Sequence, residues 1–262
     1  LCFGAATKFS QLHLDADKSY EAVALLGATT STGDAEGEVQ QRRPVQVDAD
    51  DLERVRTQFL GEIRQTPPMH SALKKDGRPL YEYARAGIEV AREARAVAIR
   101  DLALALVADG EQVTVRMQVT CSKGTYIRTL AQDIGEALGC GAHLTRLRRV
   151  QTGGFGIGEC VTLARLEAMP QDERLAALRP VEDLLQGHAL VMLEPDDAGR
   201  FLSGVRRRGK WPDIPLAAVF GHSPHALLGT GHVAAGELIP DRLLSPIEIE
   251  QILARAATTT IT

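Results

Sequence analysis

No apolar run in the 262-residue chain approaches the ~18 residues needed to span a bilayer. The front of the chain also lacks the basic-then-apolar order of a secretory signal, so a setting inside the cell is expected, with no membrane partner. Cysteine is scarce: Cys2, Cys121, Cys140 and Cys160 lie far apart with no C-x-x-C pair. That spacing indicates neither a zinc site nor a disulfide framework and predicts reduced thiols, buried or half-buried. His222 and His225 are separated by Pro224, and no nearby carboxylate joins them, which reads as a loop pair rather than a ligand set. No G-x-x-x-x-G-K loop is present, so nucleoside triphosphate binding is not expected. There is no internal repeat. The residues present, 44% hydrophobic and 24% charged, make the composition of a folded protein long enough for one large domain and a smaller one.

The net charge of −4 conceals a segregation. Residues 1–60 hold 6 basic and 10 acidic side chains, residues 61–150 hold 14 and 10, and residues 151–262 hold 10 and 14. A basic centre between acidic flanks is compatible with a polyanion held along one surface, since local charge makes the footprint.

Lys18 to Gly27 alternates as a strand and runs into the polar, glycine-containing segment TTSTGDAEGEV, which suits a loop facing a ligand. Asp48 or Asp50 can cap a helix whose apolar face is Leu52, Val55 and Phe59. Thr66-Pro67-Pro68 breaks any regular element at that point. Pro79 then opens a short helix that Gly87 closes. Strands are predicted near Ala94–Val107 and Gln112–Cys121, joined through Asp109-Gly110; in the second, Val113, Val115, Met117 and Val119 share one face. The next helix carries Ile127, Leu130, Ala131, Ile134 and Leu138 and stops at Gly139. His143–Val150 is a further strand with Arg146 and Arg148 on one side, and Thr162 caps another short helix. Beyond about Leu190 short apolar pieces divided by Gly, Pro and His, with the basic turn Arg206-Arg207-Arg208-Gly209-Lys210, read as a small β-rich domain.

The strand-to-helix turn CSKGTYIR concentrates chemistry. Helix-start amides favour an anion there, and Lys123 and Arg128 add full charges. Tyr126 beside these cations is what stacking on an unpaired base and holding its phosphate require. A core tyrosine beside a solvated arginine is the competing reading.

Taken together, GAATKFSQLHLDADKSY, TTSTGDAEG, PPMHSALKKDGRPLYEYARAGIEV and CSKGTYIRTLAQDIGEALGCGAHLTRLRR resemble the bacterial tRNA pseudouridine synthase B family, closely and in order over about residues 1–185. The resemblance implies an α+β chain. Its catalytic domain, residues 1–187, would be a mixed, largely antiparallel sheet flanked by helices, and residues 188–262 a small β-rich PUA-like RNA-binding domain. It implies isomerisation of uridine 55 in the T-arm of tRNA, in the cytoplasm, with no cofactor, no metal and no protein partner. Carried over by motif, Tyr20 would stack on the flipped base and help move the C5 proton. Arg128 would pair with a catalytic carboxylate and line the pocket with Tyr126, Asp34 would contact that arginine or the base, and Leu147 would form an apolar wall. Lys123, by its charge at the helix start, joins Asp34, Tyr126 and Leu147 as a substrate-binding candidate.

The family's nucleophilic aspartate, in a G-x-L-D-P-like motif, would stand shortly before Leu1, and no such motif occurs in the chain. The chain opens Leu1-Cys2-Phe3-Gly4, without Met or cap, as the middle of an element does. The alternative expectation is therefore a catalytically inactive module that binds or folds tRNA.

Overall fold

The computed structural model describes residues 1–110 and 112–259. Packing divides the chain into two compact units, Asp15–Glu159 and a second made of Leu1–Leu14 with Cys160–Thr262. The segment 160–187 thus packs within the same unit as the C-terminal sheet.

The unit Asp15–Glu159 contains, in order, β1 (Lys18–Leu26), β2 (Ala28–Thr30), β3 (Val39–Arg42), α1 (Ala49–Phe59), β4 (Gly61–Gln65), β5 (Lys74–Lys75), β6 (Arg78–Pro79) and α2 (Leu80–Arg85). It continues with β7 (Arg95–Asp109), β8 (Gln112–Cys121), α3 (Ile127–Ala137), β9 (Ala142–Thr152) and β10 (Phe155–Gly156). Six strands form one sheet in the order β10-β9-β1-β8-β7-β4, and every pairing in it is antiparallel.

Strand alternation gives this sheet one buried face. Ala22, Ala24 and Leu26 of β1 and Val115, Met117, Val119 and Cys121 of β8 are buried, while Glu21, Arg116 and Gln118 are exposed. α1 and α3 cover the apolar side. Asp48 caps α1, accepting from Asp51 N–H, and Asp51 accepts in return from Asp48 N–H; this capping box sets the helix start. Leu52 and Val55 then enter the core, with Phe59 packed against it. On α3, Ile127, Leu130, Ala131 and Ile134 are buried, each large one contributing roughly 1.5–3 kcal/mol relative to exposure. A Cβ at Gly135 would lie 2.3 Å from Ala142 N, so glycine here lets α3 press onto β9.

The second unit places a 3-10 helix at Gly4–His13, whose Phe9 is fully buried with Phe220, Leu227 and Leu244. It continues with α4 (Leu163–Ala168), α5 (Gln171–Ala176), β11 (Ala189–Leu193), α6 (Pro195–Leu202), β12 (Arg207–Arg208), β13 (Ile214–Gly221), β14 (Ala226–Ala234), β15 (Glu237–Leu243) and α7 (Pro246–Thr259). Its five strands run β11-β13-β14-β15-β12, with β11 parallel to β13. The β-rich reading of this region is right for its strands but omits α6 and α7. Pro195 with Asp196 and Asp197 opens α6, and Ser245 and Glu248 cap α7 reciprocally.

The three arginines of the basic turn are not free. Arg206 and Arg208 pair with Glu237 at 3.6 and 2.8 Å, and the largely buried Arg207 pairs with Asp197. His225 stacks on Phe220 with ring centroids 5.2 Å apart. One expectation needs correcting: Cys160 is exposed, because it lies in a run of exposed residues from Gly158 to Arg165. Among the described residues no helix is long and apolar enough to cross a membrane, and no three His, Cys, Asp or Glu side chains are grouped to hold a metal.

Candidate active site

Three segments meet around Arg128, in the first turn of α3: the loop after β2, the segment between β4 and β5, and the turn after β8. Arg128 Nη1 donates to Asp34 Oδ2 at 3.0 Å and to the Thr32 carbonyl at 3.3 Å, and Nη2 donates to the His70 carbonyl at 2.7 Å. The guanidinium is about three-quarters buried, which strengthens these charge-assisted bonds. Its planar fork is used in both directions at once, something a lysine ammonium could not reproduce.

Asp34 is held as firmly. Its Oδ1 accepts from Thr32 Oγ1 at 2.6 Å and from Glu36 N–H at 3.2 Å. Burial opposes ionisation, but Thr32, the Glu36 amide and Arg128 outweigh it and keep the carboxyl below the usual carboxylate range. With both oxygens engaged, Asp34 serves as an anchor for Arg128. The loop reaches this position because Gly33 adopts φ +76° under α3, where a Cβ would meet the Gln132 side chain at 2.7 Å. Leu144 N–H on β9 donates to Gly33 O at 3.0 Å and fixes the loop to the sheet.

β9 carries that frame to the remaining residues. Leu147 pairs with Ala22 and Arg149 with Tyr20, so Tyr20 and Leu147 lie on the sheet face that also bears Ala22 and Leu144. Leu147 is half exposed, unusual for a leucine on that face and fitting for an open apolar wall. Burial pushes the Tyr20 phenol above its ordinary value and nearby Cys121 adds to this, while Arg149 opposes it. The phenol is therefore protonated at neutral pH, able to donate or relay a proton. Tyr126, half-buried at the N-cap of α3, has no side-chain cap bond; instead its backbone is held by the Gln65 amide.

The structure thus joins Asp34 to Arg128 directly and sets Tyr126 two residues away on the same turn. Tyr20 and Leu147 stand on adjacent strands. Lys123 turns elsewhere, its Nζ 2.6 Å from Asp15 Oδ1 in an exposed pair. Sequence reasoning missed Thr32, His70 and Gln65: His70 acts through its backbone carbonyl, which no side-chain pattern reveals, and Thr32 through both its hydroxyl and its carbonyl. On the opposite sheet face, Glu21, Arg116, Arg146 and Arg148 line a cleft of about 640 Å³.

An antiparallel sheet backed by helices on one face, with a partly buried Arg–Asp pair at a helix start and Tyr126 on the same turn, defines an α+β protein with a charged site at the start of α3. Comparison with known proteins agrees. Residues 1–127 match the model of the TruB family pseudouridylate synthase N-terminal domain, and residues 128–186 match the tRNA pseudouridylate synthase B C-terminal domain. The tRNA pseudouridine synthase B of Verminephrobacter eiseniae is 62% identical over 258 residues, 97% of this chain and 78% of that protein. That of Cupriavidus taiwanensis is 53% identical over 253 residues, 93% and 80% of the two chains. Among solved structures, a Cbf5-Nop10-Gar1 complex matches the fold with a TM-score of 0.62 at 22% identity, covering 93% of this chain and 71% of that one. The chain belongs to the TruB family of pseudouridylate synthases.

Proposed function

We propose that this protein isomerises uridine 55 in the T-arm of tRNA to pseudouridine, in the cytoplasm. The observation that carries the reading is the partly buried Arg128–Asp34 pair, carried by the GDAEG and GTYIR motifs in a member of the TruB family.

The reaction breaks the bond between uracil N1 and ribose C1′, turns the base, joins C5 to C1′, and transfers the C5 proton away as N1 gains one. Substrate and product are isomers, so no oxidant, reductant or cofactor is consumed. The uridine must leave its stack, at a cost of a few kcal/mol, and the faces of Tyr20 and Tyr126 with the wall of Leu147 offset that cost. Arg128, fixed by Asp34, presents a permanent positive charge that holds an attacking carboxylate ionised and oriented. Tyr20, whose phenol is raised by burial, would help move the C5 proton by accepting it as its own hydroxyl proton is passed on. The C-terminal sheet, β11 to β15, serves as the PUA-like RNA-binding domain of residues 188–262.

Release of tritium from a T-arm RNA carrying [5-³H]uridine tests this, since the isomerisation leaves the mass unchanged but expels the C5 hydrogen. The protein encoded by the whole gene is expected to release one tritium per T-arm. RNA bound with salt-dependent affinity but no release would instead support a tRNA-folding role.

A further inference from the structure

We infer that Gln65 is a positioning residue for the reaction: its buried amide sets the backbone of Tyr126, and through it the presentation of Tyr126 and Arg128 to the base. Gln65 is the last residue of β4 and is 2% exposed, a polar side chain at a core position. Its Oε1 accepts from Tyr126 N–H at 3.0 Å and its Nε2 donates to the Tyr126 carbonyl at 3.4 Å. One planar amide thus engages both backbone groups of a single residue.

The need for such a device is local. α3 starts at Ile127 without a side-chain cap, because its N-cap position is the aromatic Tyr126. A buried N–H left unpaired there would cost stability, and the amide supplies the partner from another strand. The same glutamine roots the segment leading to β5: Pro67 ends β4, and five residues beyond Gln65 the His70 carbonyl meets Arg128 Nη2. Gln65 therefore pins together the two segments that bracket Arg128, the one bearing His70 and the one bearing Tyr126. The helix itself is secured separately by Ile127, Leu130 and Ile134, so losing the amide loosens the site before it loosens the fold.

The inference rests on reading Tyr126 and Arg128 as site residues, and the tests separate the two. In Gln65→Met, hydrogen exchange at the Tyr126 amide is expected to accelerate while that at Ile134 stays slow. Turnover on T-arm RNA is expected to fall about 10- to 100-fold, with binding of the same RNA changed less than about 3-fold. In Gln65→Glu a protonated carboxyl can make both bonds and a carboxylate only one, so its turnover is expected to rise as pH falls, on a limb absent from the unaltered protein. Unchanged Tyr126 exchange in Gln65→Met, or parallel pH profiles for Gln65→Glu and the parent, would overturn the inference. If Gln65→Met does not fold, the pH limb of Gln65→Glu decides. If the parent itself releases no tritium, the functional reading falls and the Tyr126 exchange still tests the positioning.

Discussion

Asp34 and Arg128, 94 residues apart in the chain, meet through a 3.0 Å bond to Oδ2 of a carboxylate whose other oxygen is occupied by Thr32 and the Glu36 amide. The acid is committed to holding the base in place. Arg128→Ala is expected to abolish conversion of T-arm uridine, and Arg128→Lys to lower it at least about 100-fold, because one ammonium cannot reach Asp34 and the His70 carbonyl together. Single-turnover tritium release measures both, and near-normal turnover of Arg128→Lys would contradict the fork geometry.

The same pair sets a pH dependence. The Asp34 carboxyl is lowered in the folded state, so its stabilisation is fully present above the unfolded carboxylate value near 3.9 and is lost as pH falls through the lower folded value. Urea unfolding of the parent and of Asp34→Asn should differ by the same amount at pH 7 and pH 5. The difference should shrink by pH 3. A gap that already closes at pH 5 would mean the pair is not formed.

Tyr20 separates chemistry from binding. Tyr20→Phe keeps the ring and removes the hydroxyl, so turnover is expected to fall by about 100-fold or more while T-arm affinity stays within a few-fold. Equal loss of both would make Tyr20 a binding residue alone.

Removal of the α1 cap tests the architecture that backs the site. Asp48→Ala breaks the capping box and is expected to cost about 1 kcal/mol, a fall of about 2–4 °C in the melting of this unit, with little change in turnover.

The C-terminal arginines are expected to contribute little to RNA affinity, since each already faces a carboxylate. Replacing Arg206, Arg207 and Arg208 together by Ala should alter the slope of log affinity against log salt by less than about one unit. A change of nearly three units would show that all three meet phosphates.

Local rules made much of the fold legible. The period-2 pattern of β1 and β8, the Asp48 cap and the 3.6-residue stripe of α3 each depend on neighbours within a turn or a strand, and each stands where the sequence places it. α6 and α7 were hidden by their surroundings: the Gly, Pro and His texture after Leu190 outweighed a proline-and-acid start at Pro195 and a Ser245-x-x-Glu248 box. The motif residues named candidates for the site, but not their partners. His70 acts by its carbonyl and Gln65 by joining segments 61 residues apart, relations that only the folded chain creates. The one visible hint was a glutamine two residues after Ile63, where alternation calls for an apolar side chain.

Position-resolved mapping of pseudouridine in tRNA, by carbodiimide labelling and primer extension, tests the function most directly. In cells lacking the gene, position 55 should remain uridine. The intact gene should restore pseudouridine there, and the Arg128→Ala gene should not. Pseudouridine at position 55 in the deletion strain, or full restoration by Arg128→Ala, would contradict the assignment.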